Sequence, residues 1–267
     1  MPTADTAARF RHLHQQGLLR LANVWDAGTA RLAEHHGAAA IATTSAGLAW
    51  SQGYPDGDRL AVDALLHAVA GIVRVIHVPL TVDVEGGYDD DPARVAATVL
   101  RVVQAGAAGI NLEDGSGDPA LLAAKIRAIR HACEANGTDV FINARTDVYL
   151  RGLAPEASRV AETLARAAQY REAGADGLFV PGVVEEADIR ALAAGCGLPL
   201  NVMLRPQLRD FDALASWGVR RISAGSALAE SAFGHVGAQM DEFLHGARTA
   251  LPDPQAMGYG AINALFP

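Results

Sequence analysis

Short apolar runs recur along the chain, each closing on polar residues and each followed by a longer segment whose apolar positions repeat with the period of a helix. The runs occupy 19–23, 38–42, 80–83, 108–112, 140–143, 177–180, 198–203 and 219–222. They close on Asn23 to Asp26, Thr43-Thr44-Ser45, Asp83 to Glu85, Glu113-Asp114, Arg145 to Asp147, Pro181-Gly182, Asn201 and Ser223 respectively. The helix-period segments lie at 29–36, 61–76, 92–105, 119–135, 155–173, 185–194, 207–217 and 226–248. Eight strand–helix units in one uninterrupted series predict a single (β/α)8 barrel spanning 1–267.

Local signals agree with that alternation. Pro92, Pro119 and Pro155 stand at predicted helix starts, where a missing N–H costs nothing, and Asp91 and Asp118 precede two of them as N-caps. Gln104-Ala105-Gly106-Ala107-Ala108-Gly109 and Glu172-Ala173-Gly174-Ala175-Asp176-Gly177 are near-copies, each joining a helix end to the next strand. Beyond the eighth unit, Pro252-Asp253-Pro254 breaks the chain and 255–266 forms a short apolar segment that the barrel does not need. The 252–267 tail is therefore expected at an oligomer interface, the alternative being that it packs on its own barrel.

Composition narrows the partners. With 267 residues, half of them apolar, the chain can bury one large core, and no linker or long charge run divides it. A formal charge of −8 argues against nucleic acid, which needs a basic face. No apolar run approaches the roughly 20 residues that cross a bilayer. The start, Met1-Pro2-Thr3-Ala4-Asp5, lacks a secretory pattern, so a cytoplasmic protein with no membrane partner is expected. Cys133 and Cys196 have no motif partners and read as inert, and the histidines are scattered.

Candidate chemistry starts at 80–88, Leu-Thr-Val-Asp-Val-Glu-Gly-Gly-Tyr. Residues two apart on a strand point the same way, so Asp83 and Glu85 project together before Gly86-Gly87 lets the chain turn. In this fold chemistry sits at the carboxyl ends of the strands, which brings Asp83, Glu85, Glu113, Arg145 and Asn201 to one mouth, with Asp56 joining from the loop Gly53-Tyr54-Pro55-Asp56-Gly57. Four converging carboxylates repel unless a cation sits among them, and oxygen ligands with water suit Mg2+ or Mn2+.

At these residues the chain resembles the isocitrate lyase / phosphoenolpyruvate mutase superfamily. Asp83-Val84-Glu85-Gly86-Gly87-Tyr88 is similar to its Asp-x-Asp-x-Gly-Tyr/Phe strand end, 105–114 to its Ala-Gly-Ala-x-Gly-x-x-x-Glu-Asp, and Asn143-Ala144-Arg145-Thr146-Asp147 to its x-Ala-Arg-x-(Asp/Glu). The resemblance implies the barrel and a set of roles. Asp83 would bind the metal directly, while Asp56, Glu85 and Glu113 would hold its waters, with Glu85 one methylene longer than the family's Asp. Thr44, Ser45 and Ala46 would receive a substrate carboxylate through backbone amides and a hydroxyl, and Arg145 would clamp the same 2-oxo acid. A plain turn at Thr44-Ser45 and an ion pair between Arg145 and Asp147 are the structural alternatives. Family members form tetramers through their terminal helices, which implies a homotetramer here, with a dimer as the smaller option.

The chain also departs from the family. Lyases carry Lys-(Lys/Arg)-Cys-Gly-His in a gating loop after Glu-Asp, and the cysteine is their acid–base group. Here Gly115-Ser116-Gly117-Asp118-Pro119 runs straight into a helix, and the mutase and phosphonopyruvate hydrolase loop is absent too. Pro181-Gly182 replaces another polar partner. Isocitrate-type cleavage must protonate the carbon that leaves, whereas a β-oxo acid can decarboxylate through a metal-stabilised enolate and take its proton from water. The expectation is a Mg2+- or Mn2+-dependent lyase for a small 2-oxo dicarboxylate such as oxaloacetate or 2-oxoglutarate. Alternatives are carbon–carbon cleavage of isocitrate or 2-methylisocitrate, P–C chemistry on phosphonopyruvate, and a non-catalytic 2-oxo acid binding protein. Arg145, Asp56 and Tyr54 are the candidate catalytic residues; Thr44, Ser45, Ala46, Asn201 and Trp25 would line the substrate. Tyr88 is a second candidate proton donor, and ordinary packing is the alternative for Trp25 and Trp50.

Overall fold

A computed structural model describes residues 4–253 and 256–266. Its strands are β1 (Leu19–Val24), β2 (Ile41–Thr43), β3 (Leu80–Asp83), β4 (Gly109–Glu113), β5 (Phe141–Arg145), β6 (Gly177–Val180), β7 (Leu200–Met203) and β8 (Val219–Ser223). They form one closed parallel barrel in chain order, β8 pairing back onto β1. The expected (β/α)8 architecture is the observed one. β2, β3 and β6 are buried at every position, as strands covered on both faces must be.

The helices are α1 (Ala4–Leu13), α2 (Ala27–His35), α3 (Ser45–Ser51), α4 (Val62–Val73), α5 (Pro92–Gln104), α6 (Pro119–Ala135), α7 (Arg159–Glu172), α8 (Glu186–Gly195), α9 (Phe211–Ser216), α10 (Ala227–His245) and α11 (Tyr259–Asn263). Asp91 and Asp118 accept from Ala93 N and Ala120 N, capping α5 and α6 ahead of their first-turn prolines. Pro155 instead precedes a 3-10 turn, Glu156–Ser158, and α7 starts at Arg159, later than the pattern predicts. The pattern also misses α1 and α3.

Apolar packing divides into two layers. A large one lies between strands and helices, from Val24, Ile41 and Val82 to Leu192 and Val202. A small one fills the barrel floor, where Phe10 of α1 meets Leu19, Leu21, Ala42, Ala108 and Phe141. The echo at 104–109 and 172–177 has its reason here. A Cβ on Gly109 would come within 2.7 Å of the Phe10 ring, and one on Gly177 within 3.0 Å of the Phe141 ring. Both strands need a glycine where a floor aromatic lies flat on the backbone. Arg11 and Arg130 clamp the same floor onto Asp139 and Asp176.

The last units depart from a regular barrel. Ala229 is the buried residue of α10, while Leu228, Phe233, Val236, Met240, Phe243 and Leu244 are exposed along it. The outer face of β1 is correspondingly open: a cavity of about 830 Å3 runs along it, lined by Leu18, Val24, Trp25, Leu32, Ala33 and Leu228. In the 252–267 tail, residues 254, 255 and 267 lie outside the described ones; α11 is exposed, and the Leu265 carbonyl accepts from Arg31 Nε at 2.5 Å. Among the described residues no helix is long and apolar enough to cross a membrane.

Candidate active site

The strand ends of β3, β4 and β5 carry the charges. In register, Asp83 lies beside Asn111 and Glu113 beside Arg145, so Glu113 and Arg145 share the uppermost layer and Asp83 the one beneath. Asp83 is held from three sides: its backbone N donates to Thr43 Oγ1 at 2.8 Å, Oδ1 accepts from Glu85 N at 3.0 Å, and Oδ2 from Asn111 Nδ2 at 3.2 Å. Each oxygen keeps a further acceptor site toward the mouth. Glu85 follows with a positive φ of 51°, a conformation that side chains adopt at a cost. Its Oε2 accepts from Gly57 N at 2.9 Å and from Asp58 N, which ties the 53–58 loop to the end of β3. Asp58 reciprocates, accepting from Gly86 N and Tyr88 N.

Burial dominates the electrostatics. It raises the Asp83 carboxyl above its ordinary value, with Asp56 adding to the effect and Arg145 opposing it. Burial with the charges of Asp56, Asp58 and Asp83 pushes Glu85 up to about 7. Glu113 is pushed up to about 8, because burial, reinforced by Asp83 and Asp147, outweighs its pairing with Arg145. Three carboxyls that resist ionisation in one mouth form a set that a cation would relieve.

Arg145 is half-buried among acids. Its Nε and Nη2 fork onto Asp147 at 2.7 and 3.0 Å, and its Nη1 meets Glu113 Oε2 at 2.5 Å. One edge of the guanidinium is therefore spent on Asp147, and the edge between Nη1 and Nη2 retains hydrogens for another acceptor. The ion pair with Asp147 exists and leaves room for a clamp. Asp147 also binds Arg151, and its backbone N donates to Asp114, whose other oxygen accepts from Arg166 at 2.9 Å and Tyr170 at 2.6 Å.

Thr44, Ser45 and Ala46 sit where β2 passes into α3, whose first-turn N–H groups are free of intrahelical bonds. Asn201 is fully buried on β7; its Oδ1 accepts from Ser223 at 3.2 Å and its Nδ2 has no partner among the described residues. Asp56 and Tyr54 are exposed on the 53–58 loop, and the charge of Asp56 is felt at both Asp83 and Glu85. Tyr88 donates to Glu85 Oε1 at 3.4 Å. Trp25 packs against the strand–helix layer and lines the outer groove along β1, and Trp50 meets Phe233 of α10 edge to face at 6.0 Å. After Glu113 the chain makes a tight turn, Gly117 N donating to Asp114 O at 2.8 Å, and enters α6. A cavity of about 490 Å3 opens beside it, lined by Asp58, Tyr88, Glu113, Gly115, Lys125 and Arg151.

Sequence reasoning foresaw the Arg145–Asp147 pair as an alternative and missed Thr43, Asn111 and Asp58, whose roles depend on partners brought close by the fold. Asp58 carried one usable signal, its place in the same acidic loop as Asp56. Among the described residues, no three His, Cys, Asp or Glu side chains close around one point. The oxygen donors at the mouth, Asp83, Glu85 and Glu113, are of the chemical type that suits a hard cation such as Mg2+.

Residues 10–244 match the family model described as phosphoenolpyruvate phosphomutase. The chain is 40% identical over 223 residues to an uncharacterized protein of Mycobacterium tuberculosis, covering 81% of each. It is 30% identical over 250 residues to oxaloacetate decarboxylase of Rhodopseudomonas palustris, covering 90% of this chain and 86% of that one. The crystal structure of a Burkholderia cenocepacia J2315 protein proposed as a phosphonomutase superposes with a TM-score of 0.84 at 42% identity, covering 89% of this chain and 99% of that one.

Proposed function

Because this chain belongs to the phosphoenolpyruvate phosphomutase family, and so to the isocitrate lyase / phosphoenolpyruvate mutase superfamily of lyases and mutases, we propose that it is a Mg2+- or Mn2+-dependent lyase for a small 2-oxo dicarboxylate of the oxaloacetate or 2-oxoglutarate type. Decarboxylation of oxaloacetate is the reaction it performs best on this reading. One observation carries it: Gly115-Ser116-Gly117 closes a tight turn where a longer loop would stand over the mouth, beside the grouped Asp83, Glu113 and Arg145.

Asp83 would hold the cation directly and Asp56, Glu85 and Glu113 its waters, supplying Lewis-acid polarisation of the substrate's 2-oxo group. The free edge of Arg145, aimed by its fork on Asp147, receives a substrate carboxylate, and the amides of Ser45 and Ala46 with the Ser45 hydroxyl receive the same acid from the β2 side, the Thr44 amide being spent on the Val24 carbonyl at 3.0 Å. In oxaloacetate the C3–C4 bond breaks, its electron pair moves into C2–C3 and onto the 2-oxo oxygen, and CO2 leaves. C3 then takes a proton from water to give pyruvate. Cleavage of isocitrate asks for more, since a proton has to reach a leaving carbon that bears a carboxylate. The likeness to an oxaloacetate decarboxylase over most of the chain supports the same choice.

The test is pyruvate release from oxaloacetate with Mg2+, measured above the background of metal alone and against Asp83→Ala. Faster cleavage of isocitrate, 2-methylisocitrate or phosphonopyruvate would overturn the assignment. The protomer is further taken to assemble as a homotetramer, or at least a dimer, with the apolar face of α10 as one contact: the open groove on β1 and the bare helix are complementary in chemistry.

A further inference from the structure

Below Asp83, inside the barrel, lies a charged residue with no part in the chemistry above. Arg221 of β8 is fully buried, and among the described residues no carboxylate forms an ion pair with it, although the charge of Asp83 reaches it. Its Nη2 donates to Asn111 Oδ1 at 3.0 Å, while Nε and Nη1 have no partner among the described residues. Asn111 Oδ1 also accepts from Asn143 Nδ2 at 2.9 Å, and Asn111 Nδ2 donates to Asp83 Oδ2 at 3.2 Å.

The direction of this chain of bonds depends on the arginine. Asn111 and Asn143 are both amides, and an amide presents a donor at one end and an acceptor at the other. Without the arginine only an ionised Asp83 opposes a concerted flip that keeps their mutual bond, and a protonated Asp83 would donate to the Asn111 oxygen that the flip turns outward. A guanidinium only donates. Beside Asn111 it forces the oxygen inward and the NH2 outward, and one orientation survives.

We propose that Arg221 is a positioning residue for Asp83: by fixing the polarity of Asn111 it fixes the plane of the Asp83 carboxylate and the face that carboxylate turns to a cation. The proposal rests on the reading of Asp83 as the direct metal ligand. It also accounts for a buried cation that an apolar side chain would replace without a desolvation cost.

A sign separates this role from a simple charge effect. Once Asp83 is ionised the guanidinium repels a dication, so in the alkaline limit of a pH series its removal tightens metal binding on Coulomb grounds alone. If it sets the amide, its removal loosens binding instead. The experiment is the dissociation constant of Mn2+ over a pH series, read by electron paramagnetic resonance on Arg221→Met, Arg221→Gln and Arg221→Lys, with folding checked by circular dichroism. Gln is itself an amide that can present either end, and Lys only donates. Met and Gln are expected to weaken Mn2+ binding by about tenfold or more, and Lys to hold it within about threefold of wild type. Met or Gln binding as tightly as wild type, or more tightly, would overturn the proposal; if the Met variant does not fold, Gln carries the same comparison. Wild-type protein that takes up no Mn2+ would overturn the metal reading of Asp83 as well, which keeps the two failures apart.

Discussion

Asp83 is buried, accepts from two donors and sits near several like charges, so its removal has two opposite effects. Asp83→Ala is expected to abolish Mn2+ binding and turnover, whereas Glu113→Gln, acting through water, should weaken both less; equal losses in a titration of the two variants would remove the distinction in roles. For Arg145 the fork matters as much as the charge. Arg145→Lys should raise the apparent substrate constant by about tenfold, or ~1.4 kcal/mol, and steady-state kinetics matching wild type would leave Arg145 as a partner of Asp147 alone. Asp83, Glu85, Glu113 and Arg145 were legible because each belongs to a local phrase whose meaning is complete within a few residues. Thr43 and Asn111 were not, since a threonine and an asparagine in apolar runs gain their roles only when Asp83, 40 and 28 residues away, is brought beside them.

At the scale of elements, the strands and the long helices were readable from period alone, and their boundaries slipped where turns intervene. α3, Ser-Ala-Gly-Leu-Ala-Trp-Ser, is too short and too rich in small residues to show a period. α1 reads as polar because a single narrow face, Ala7 and Phe10, is buried. The 115–117 turn is the element with the most direct chemical consequence. With water as the proton source, deuterium entering C3 of pyruvate in D2O should show no facial preference when the oxaloacetate is chirally labelled at C3. Stereospecific delivery would point to a side-chain donor, with Tyr54 and Tyr88 the first to substitute.

Across the whole molecule, the raised carboxyls set a pH dependence. Folding lowers His14 from 6.5 to about 3, through burial and the charge of Arg221, so the unfolded chain holds the extra proton there below 6.5 and that penalty is gone above it. Glu113, at about 8 against 4.5 unfolded, does the reverse: the folded state holds the extra proton, and stability falls as pH rises toward 8. Between pH 6.5 and 8 the second effect acts without the first, so the Tm of metal-free protein should fall, and Mg2+ should restore it most at the upper end. A flat Tm over that range, or no response to Mg2+, would count against the electrostatic picture. Assembly belongs to the same scale. Light scattering should give a tetramer or dimer, and Phe243→Asp with Leu244→Asp should lower the mass, whereas a monomeric wild type would mean that α10 has no mate. The floor of the barrel carries a consequence for how the chain comes to exist. Phe10 and Arg11 are made well before their partners Phe141, Asp139 and Asp176, so the segment that carries them must wait until those later residues have left the ribosome. Closing loops of 128 and 165 residues is slow compared with forming a local helix. Until then the nascent protein has an unsealed floor with its aromatic plug in water, and its period of greatest exposure to aggregation and proteolysis falls during synthesis rather than after it.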